Sequence, residues 1–354
     1  MKYRLNISVG LIALGFLSGC SVMERDLFEQ TERVKLLALN DVGLFTKSIY
    51  PGIGTGADEL DRIGVVVTAG NDFYNDEIPT QQFYYNGTGW EARKDTLFLA
   101  EKSGTVYACS VPKESATFTV SLEGGIPVLP GTIACEQSCR LPADLSAPLT
   151  DVDQYDYLYG TEPGNVTNRP VVSRDHNTAS LEMRHFMAKV SFRVMKAIDQ
   201  SAPGENDFIK SVTLQSTGSP RFTAGVVSFN LGNGKITGGS LYNTIKLSNV
   251  GDYAKVDAYT ANHAGLGAKM FGLTAPVTKV EGTISVLLGQ KANTRYDRSY
   301  QAENTVFSWE GGKHYIYSLL ITDVGLIVSK PQVVGWEESA ISEPVLPDSV
   351  TKNK

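Results

Sequence analysis

Four histidines, four cysteines and two clusters of carboxylates are the residues of this 354-residue chain that could serve a catalytic or metal-binding site. His176, His185, His263 and His314 are scattered, and none falls at the spacing of an HExxH helix or another ligand set. His185 follows Arg184 where a strand-like run opens, and reads as an exposed or capping residue rather than a base. No Gly-x-Ser-x-Gly elbow and no Walker loop occurs. DVDQYDY (Asp151 to Tyr157) and NDFYNDE (Asn71 to Glu77) place oxygen ligands at alternate positions, as calcium loops do. The first lacks the glycine of an EF-hand and neither ends in a glutamate at the right spacing, so both read as solvated loops. Cys135 and Cys139 share a Gly/Pro-flanked segment that reads as an exposed loop, with no second Cys pair or His at zinc spacing. A disulfide is the expectation for this pair over a metal. With Cys109 as the third thiol, the pairing stays open and the odd count leaves one unpaired. The residues thus name no catalytic group, no metal site and no cofactor, and the chain is expected not to be an enzyme.

The fourth cysteine belongs to a different chemistry. Lys2 and Arg4 form a basic start, and Ile7 to Phe16 form an apolar stretch too short to span a bilayer as a helix. Leu17-Ser18-Gly19-Cys20 follows, and this resembles the lipobox of bacterial lipoproteins. The resemblance implies removal of residues 1–19 as a signal peptide and diacylation, palmitate included, of Cys20. The mature chain would then be lipid-anchored in the outer membrane, with residues 20–33 as a polar tether. The acceptor patterns at Asn86 and Asn165 are read as chance beside a bacterial signal.

The elements that would carry these residues are strands. Gly (34), Tyr (16) and Phe (14) are abundant and charged residues make up only 20%, a mix that favours a turn-rich β protein over a helical bundle. The net charge of −6 and a pI near 5.4 exclude a broad nucleic-acid footprint. Strand-like runs recur with turn residues between them: RVKLLAL, RIGVVVTAG, GTVYACSV and ATFTVSL, then FIKSVTLQS, AGVVSFNL and KVEGTISVLLG. The cleanest alternation is HFMAKVSFRV, with Phe186, Ala188, Val190, Phe192 and Val194 on one face and Met187, Lys189, Ser191 and Arg193 on the other. No convincing amphipathic helix occurs. The pattern predicts two β-sandwiches in tandem, over 34–177 and 178–336, divided in the loop-rich stretch before HFMAKVSFRV, with a tail over 337–354. The aromatic clusters Phe83-Tyr84-Tyr85 and Tyr155-Tyr157-Tyr159 read first as core or cross-strand pairs, and otherwise as a glycan-stacking platform.

Three segments carry a family resemblance. HFMAKVSF after a polar run, DQYDYLYG upstream of it, and Trp309 to Tyr317 (W-x-G-G-K-x-Y-x-Y) followed by LIVSKPQVVGW resemble fimbrillins, the FimA/Mfa-like type V pilins of Bacteroidetes. The resemblance implies two transthyretin-like, Greek-key sandwiches and a surface-exposed role in fimbriae, where subunits join by strand exchange and adhere to host or bacterial surface glycans or proteins. In stalk subunits of that family a trypsin-like protease removes the N-terminal strand and a neighbour's strand fills the groove. Here the removable strand would be RVKLLAL, with Val34, Leu36 and Ala38 on one face, and the candidate processing positions are Arg33, Lys47 and Arg62. The donor would be the tail, docking Ile341, Val345, Leu346 and Val350, although Pro344 and Pro347 cannot donate ladder bonds.

Overall fold

The computed structural model describes residues 34–45, 53–56, 59–93, 97–110, 118–140, 151–197, 204, 206–250, 254–259, 267–291 and 293–336. The fold is all-β, as the alternation predicts, with five sheets among the described residues. One sheet dominates the N-terminal half, in the order Ala38–Leu44, Thr178–His185, Leu158–Thr161, Gly104–Ser110, Arg62–Ala69, Gln81–Tyr85 and Trp90–Ala92. It curls until its two edge strands, Ala38–Leu44 and Trp90–Ala92, approach each other. Ile63, Val65, Val67, Phe83, Leu99 and Val106 fill the interior. The unbroken run IGVVV at the middle of this sheet has a physical reason. Val66 turns to the opposite face and joins a second core with Tyr107 and Cys109, so the strand is buried on both sides.

The C-terminal half is a two-layer sandwich. One layer runs Asp151–Val152, Glu136–Arg140, Thr244–Val250, Phe208–Ser216, Val277–Gly289 and Arg298–Trp309. The other centres on Ala188–Lys196 and Lys313–Thr322, which pair in parallel, with Gly325–Val328 and Gln332–Gly335 folding back on the latter. Phe192, Leu214, Phe222, Ile284, Phe307, Trp309, Tyr317 and Leu319 form the core between them. Trp309 Nε1 donates to Tyr317 Oη at 2.9 Å, which satisfies both polar tips where water cannot reach. The closing stretch behaves as its alternation requires, with Tyr315, Tyr317, Leu319 and Ile321 all in this core.

The division between the halves departs from the expected one. Thr178–His185 belongs to the N-terminal sheet, so the chain changes half after His185 rather than before Thr178. The segment 121–140 crosses over as well: Ile126–Ile133 pairs with Phe222–Asn230, and Glu136–Arg140 pairs in parallel with Thr244–Val250. Proline- and glycine-rich composition marked a linker, but strand placement follows the apolar faces. Leu129 and Ile133 find their partners in Phe186, Val227 and Phe229 at the junction. Gly131 allows the crossing, since a Cβ there would lie 2.6 Å from the Phe229 ring and 2.7 Å from that of Tyr157. Gln137 then ties the crossing strand to the opposite layer of the C-terminal half as a surrogate strand rung, donating to Leu273 O at 2.6 Å and accepting from Leu273 N at 3.0 Å.

A candidate strand-exchange edge

Residues 35–45 form the outermost element of the N-terminal half. Lys35–Leu36 pairs antiparallel with Phe98–Leu99, Leu37 N donates to Leu97 O, and the chain then turns to lie parallel to Thr178–His185. Ala38–Leu44 is the end strand of its sheet, and its ladder partner among the described residues is Thr178–His185. The register slips between Ala179 and Ser180, so Leu39 stands opposite Ala179 while Asp41 stands opposite Ser180, with Asn40 as the extra residue. This bulge explains which side chains face inward. Leu37, Leu39 and Val42 are buried in the N-terminal core, whereas Leu36 is 46% exposed and Ala38 also faces solvent.

Of the two faces of RVKLLAL, the one carrying Leu37 and Leu39 is inward and the one carrying Leu36 and Ala38 is outward, and the strand extends beyond RVKLLAL to Leu44. The polar pair Asn40–Asp41 makes the run appear to stop at Leu39. The signal for its continuation was the resumption of apolar residues at Val42 and Leu44, one position out of phase, as a bulge requires. Two contacts fasten the ends. Asn177 Nδ2 donates to Leu36 O at 2.7 Å, and Phe45 N donates to Met183 O at 2.9 Å while the Arg184 guanidinium lies 3.7 Å over the Phe45 ring.

The remaining sequence candidates fall as follows. Arg62 is half-buried inside the Arg62–Ala69 strand, with Tyr84 paired on one side, Ile63 paired to Ser110 on the other, and its guanidinium 4.8 Å over the Tyr84 ring. A protease would have to open the sheet to reach it, unlike a position in a loop. Arg33, Lys47, Cys20, the signal and tether, and the tail residues Ile341, Val345, Leu346 and Val350 lie outside the described residues. Cys135 and Cys139 are not in a disulfide. Cys139 sits on the Glu136–Arg140 strand and Cys135 just before it, and four extended residues span about 13 Å, well past the Cα separation a bridge allows. Burial pushes the Cys109 thiol up to about 12, which keeps it protonated and inert.

His185 is not exposed. Its side chain is fully buried, Nδ1 lies 3.0 Å from an oxygen of the equally buried Asp156, and its ring stacks on Trp336 at 3.9 Å and 3°. The aromatic clusters are largely internal. Phe83 and Tyr159 are buried, Tyr157 stacks on Phe229 at 4.2 Å, and Tyr84 is half-buried between Arg62 and Arg93. Asp153 accepts from Ser138 N, and Asn75 caps a turn through Glu77 N and Ile78 N, so both acidic segments contribute to local loop geometry.

The fold thus places the Ala38–Leu44 strand at the edge of the N-terminal sheet, with its apolar side chains in the core beneath. A sequence model described as fimbrillin-like matches residues 53–336, most of the chain, and the chain belongs to that family. Membership places it with fimbrial proteins, components of a cell-surface appendage rather than a class of enzymes. A candidate cell adhesion protein from Bacteroides ovatus is similar in structure, with a TM-score of 0.52 at 16% identity over 86% of this chain and 99% of that one. A fimbrial protein from Bacteroides vulgatus gives a TM-score of 0.49 at 14% identity over 85% and 99%. At such identities the likeness speaks for the fold alone. No curated protein sequence matches the chain.

Proposed function

We propose that this chain is a lipid-anchored fimbrial subunit of the outer-membrane surface that joins its neighbours by strand exchange. The observation that carries the reading is the Ala38–Leu44 strand, which is terminal in its sheet, held by one ladder partner, and yet supplies Leu39 and Val42 to the core. Its withdrawal would leave two things at once: the unpaired backbone edge of Thr178–His185 and a set of apolar pockets beneath it. An incoming strand answers both, since main-chain bonds give affinity and alternate side chains set register. Arg33 and Lys47 bracket the strand in sequence, so cleavage after Lys47 would free it whole. The donor in this reading is the segment 337–354, and Cys20 carries the lipid.

Limited trypsin digestion followed by electrophoresis without boiling tests the exchange. SDS-resistant ladders after clipping between Arg33 and Lys47 are expected, and complete clipping that yields monomer alone would refute it. Mass spectrometry of the mature N-terminus assigns the role: a diacylated Cys20 marks an anchored subunit, and a terminus after Lys47 marks one that has shed the strand and can assemble.

A further inference from the structure

The strand pair at the heart of the C-terminal half is buried on both faces, although only one face meets the sandwich core. Ala188–Lys196 is buried at every position, and Lys313–Thr322 at nearly every one. Alternation puts Lys189, Ser191 and Arg193 on the face away from Phe192 and Tyr317, and the parallel register sets His314, Ile316 and Ser318 beside them. This second face carries two buried bases, Lys189, which has the Asp156 carboxylate near it, and Arg193. Arg193 is 1% exposed, and Nε, Nη1 and Nη2 of its guanidinium all lack a hydrogen-bond partner. No carboxylate among the described residues forms an ion pair with it. His314 Nε2 lies 2.7 Å from Ser191 Oγ, and burial, reinforced by Lys189 and Arg193, depresses its pKa to about 3, so it supplies no charge of its own near neutrality. Gln332, opposite Ile316 on the same face, has a buried Oε1 without a donor. A guanidinium with every nitrogen unanswered, out of water, calls for an oxyanion that can take its planar fork.

We propose that Arg193 anchors a carboxylate site on this outer face, and that its ligand is an acidic side chain of the segment 337–354. Reach and charge argue for this occupant. Gly335 pairs with Lys313, so the chain leaves Trp336 at one end of the strand pair, where the indole stacks on His185. Arg193 pairs with Ser318, five residues along, about 17 Å away. Glu343 and Asp348 lie seven and twelve residues past Trp336, within about 23 and 40 Å of extended chain. Glu337 and Glu338 fall short of that distance. The inference concerns the subunit before assembly: it holds whether or not the N-terminal strand is removed and the same segment then leaves Arg193 to act as a donor.

Hydrogen exchange of residues 337–354 in the full chain, read by mass spectrometry, tests it. Arg193→Gln and the double change Glu343→Gln, Asp348→Asn are each expected to raise exchange in the tail about tenfold, the effect of losing one charge-assisted pair. Protection unchanged on hundredfold dilution assigns the carboxylate to the same chain, and protection lost on dilution assigns it to a second copy. Identical tail exchange in the parent and the folded variants would overturn the proposal. Should Arg193→Gln fail to fold, the tail double change, which leaves the sheet intact, decides alone.

Discussion

His314 shows what a single residue does when a strand register forces it inside. Its ordinary pKa of 6.5 falls to about 3 because burial, with Lys189 and Arg193 nearby, disfavours the imidazolium. Below pH 6.5 the unfolded chain takes up a proton that the folded chain refuses, so stability falls as pH drops from about 6.5 towards 3. The contribution is on the order of 4 kcal/mol across that window. Urea unfolding at pH 7 and pH 4 should therefore show a steep acid loss in the parent protein and a shallower one in His314→Gln. Tyr317 makes a second prediction at this scale. Its hydroxyl accepts from buried Trp309 Nε1, and burial raises its pKa. Tyr317→Phe removes the acceptor while the indole N–H stays buried, which should cost about 1–3 kcal/mol in the same assay.

At the scale of elements, the edge strand depends on a few side chains. Leu39→Ala deletes one of its three buried anchors and should destabilise the N-terminal half by about 2–4 kcal/mol. The accompanying sign would be faster amide exchange over Ala38–Leu44 with little change in Lys313–Thr322. Gly282 is the corresponding constraint on the long Val277–Gly289 strand, because a Cβ would lie 2.1 Å from Gln215 O in the paired strand. Gly282→Ala should push these two strands apart, and a loss of about 2–3 kcal/mol by urea unfolding would register it. Strand existence was legible throughout in the period-2 pattern, and Tyr315, Tyr317, Leu319 and Ile321 took the face their spacing demands. The other face of HFMAKVSFRV was not legible: Lys189, Ser191 and Arg193 alternate as solvent-facing residues do, yet all three are buried. Polarity reports which side chains tolerate water, and it cannot reveal that something covers them. The inward place of Val42 was hidden for a different reason, since the bulge at Asn40 shifts the alternation that Leu37 and Leu39 set up.

At the scale of the whole molecule, segments far apart in sequence are joined by side chains that no local pattern announces. Gln137 lies 136 residues from Leu273 and still supplies both hydrogen bonds of a missing rung. Gln137→Ala would orphan the Leu273 N–H and C=O together, and a loss of about 2–4 kcal/mol is expected. Because these bonds tie the two layers of the C-terminal half together, the loss should appear in calorimetry as a lower midpoint for that half. The class of fold and the family were legible from strands and motifs, whereas the boundary was not, because composition marks where a chain turns and not which sheet it enters.

The crossing of residues 121–140 into the C-terminal half also sets an order of events in time. Glu136–Arg140 waits for Thr244–Val250, and Ala38–Leu44 waits for Thr178–His185, so neither half can close from its own early segments. Contacts this distant in sequence make for slow folding. The N-terminal sheet must stay open until Thr178–His185, about half-way along the polypeptide, has been delivered to the compartment where it folds, and its edge strand is one of the last pieces that could become trapped with the wrong neighbour.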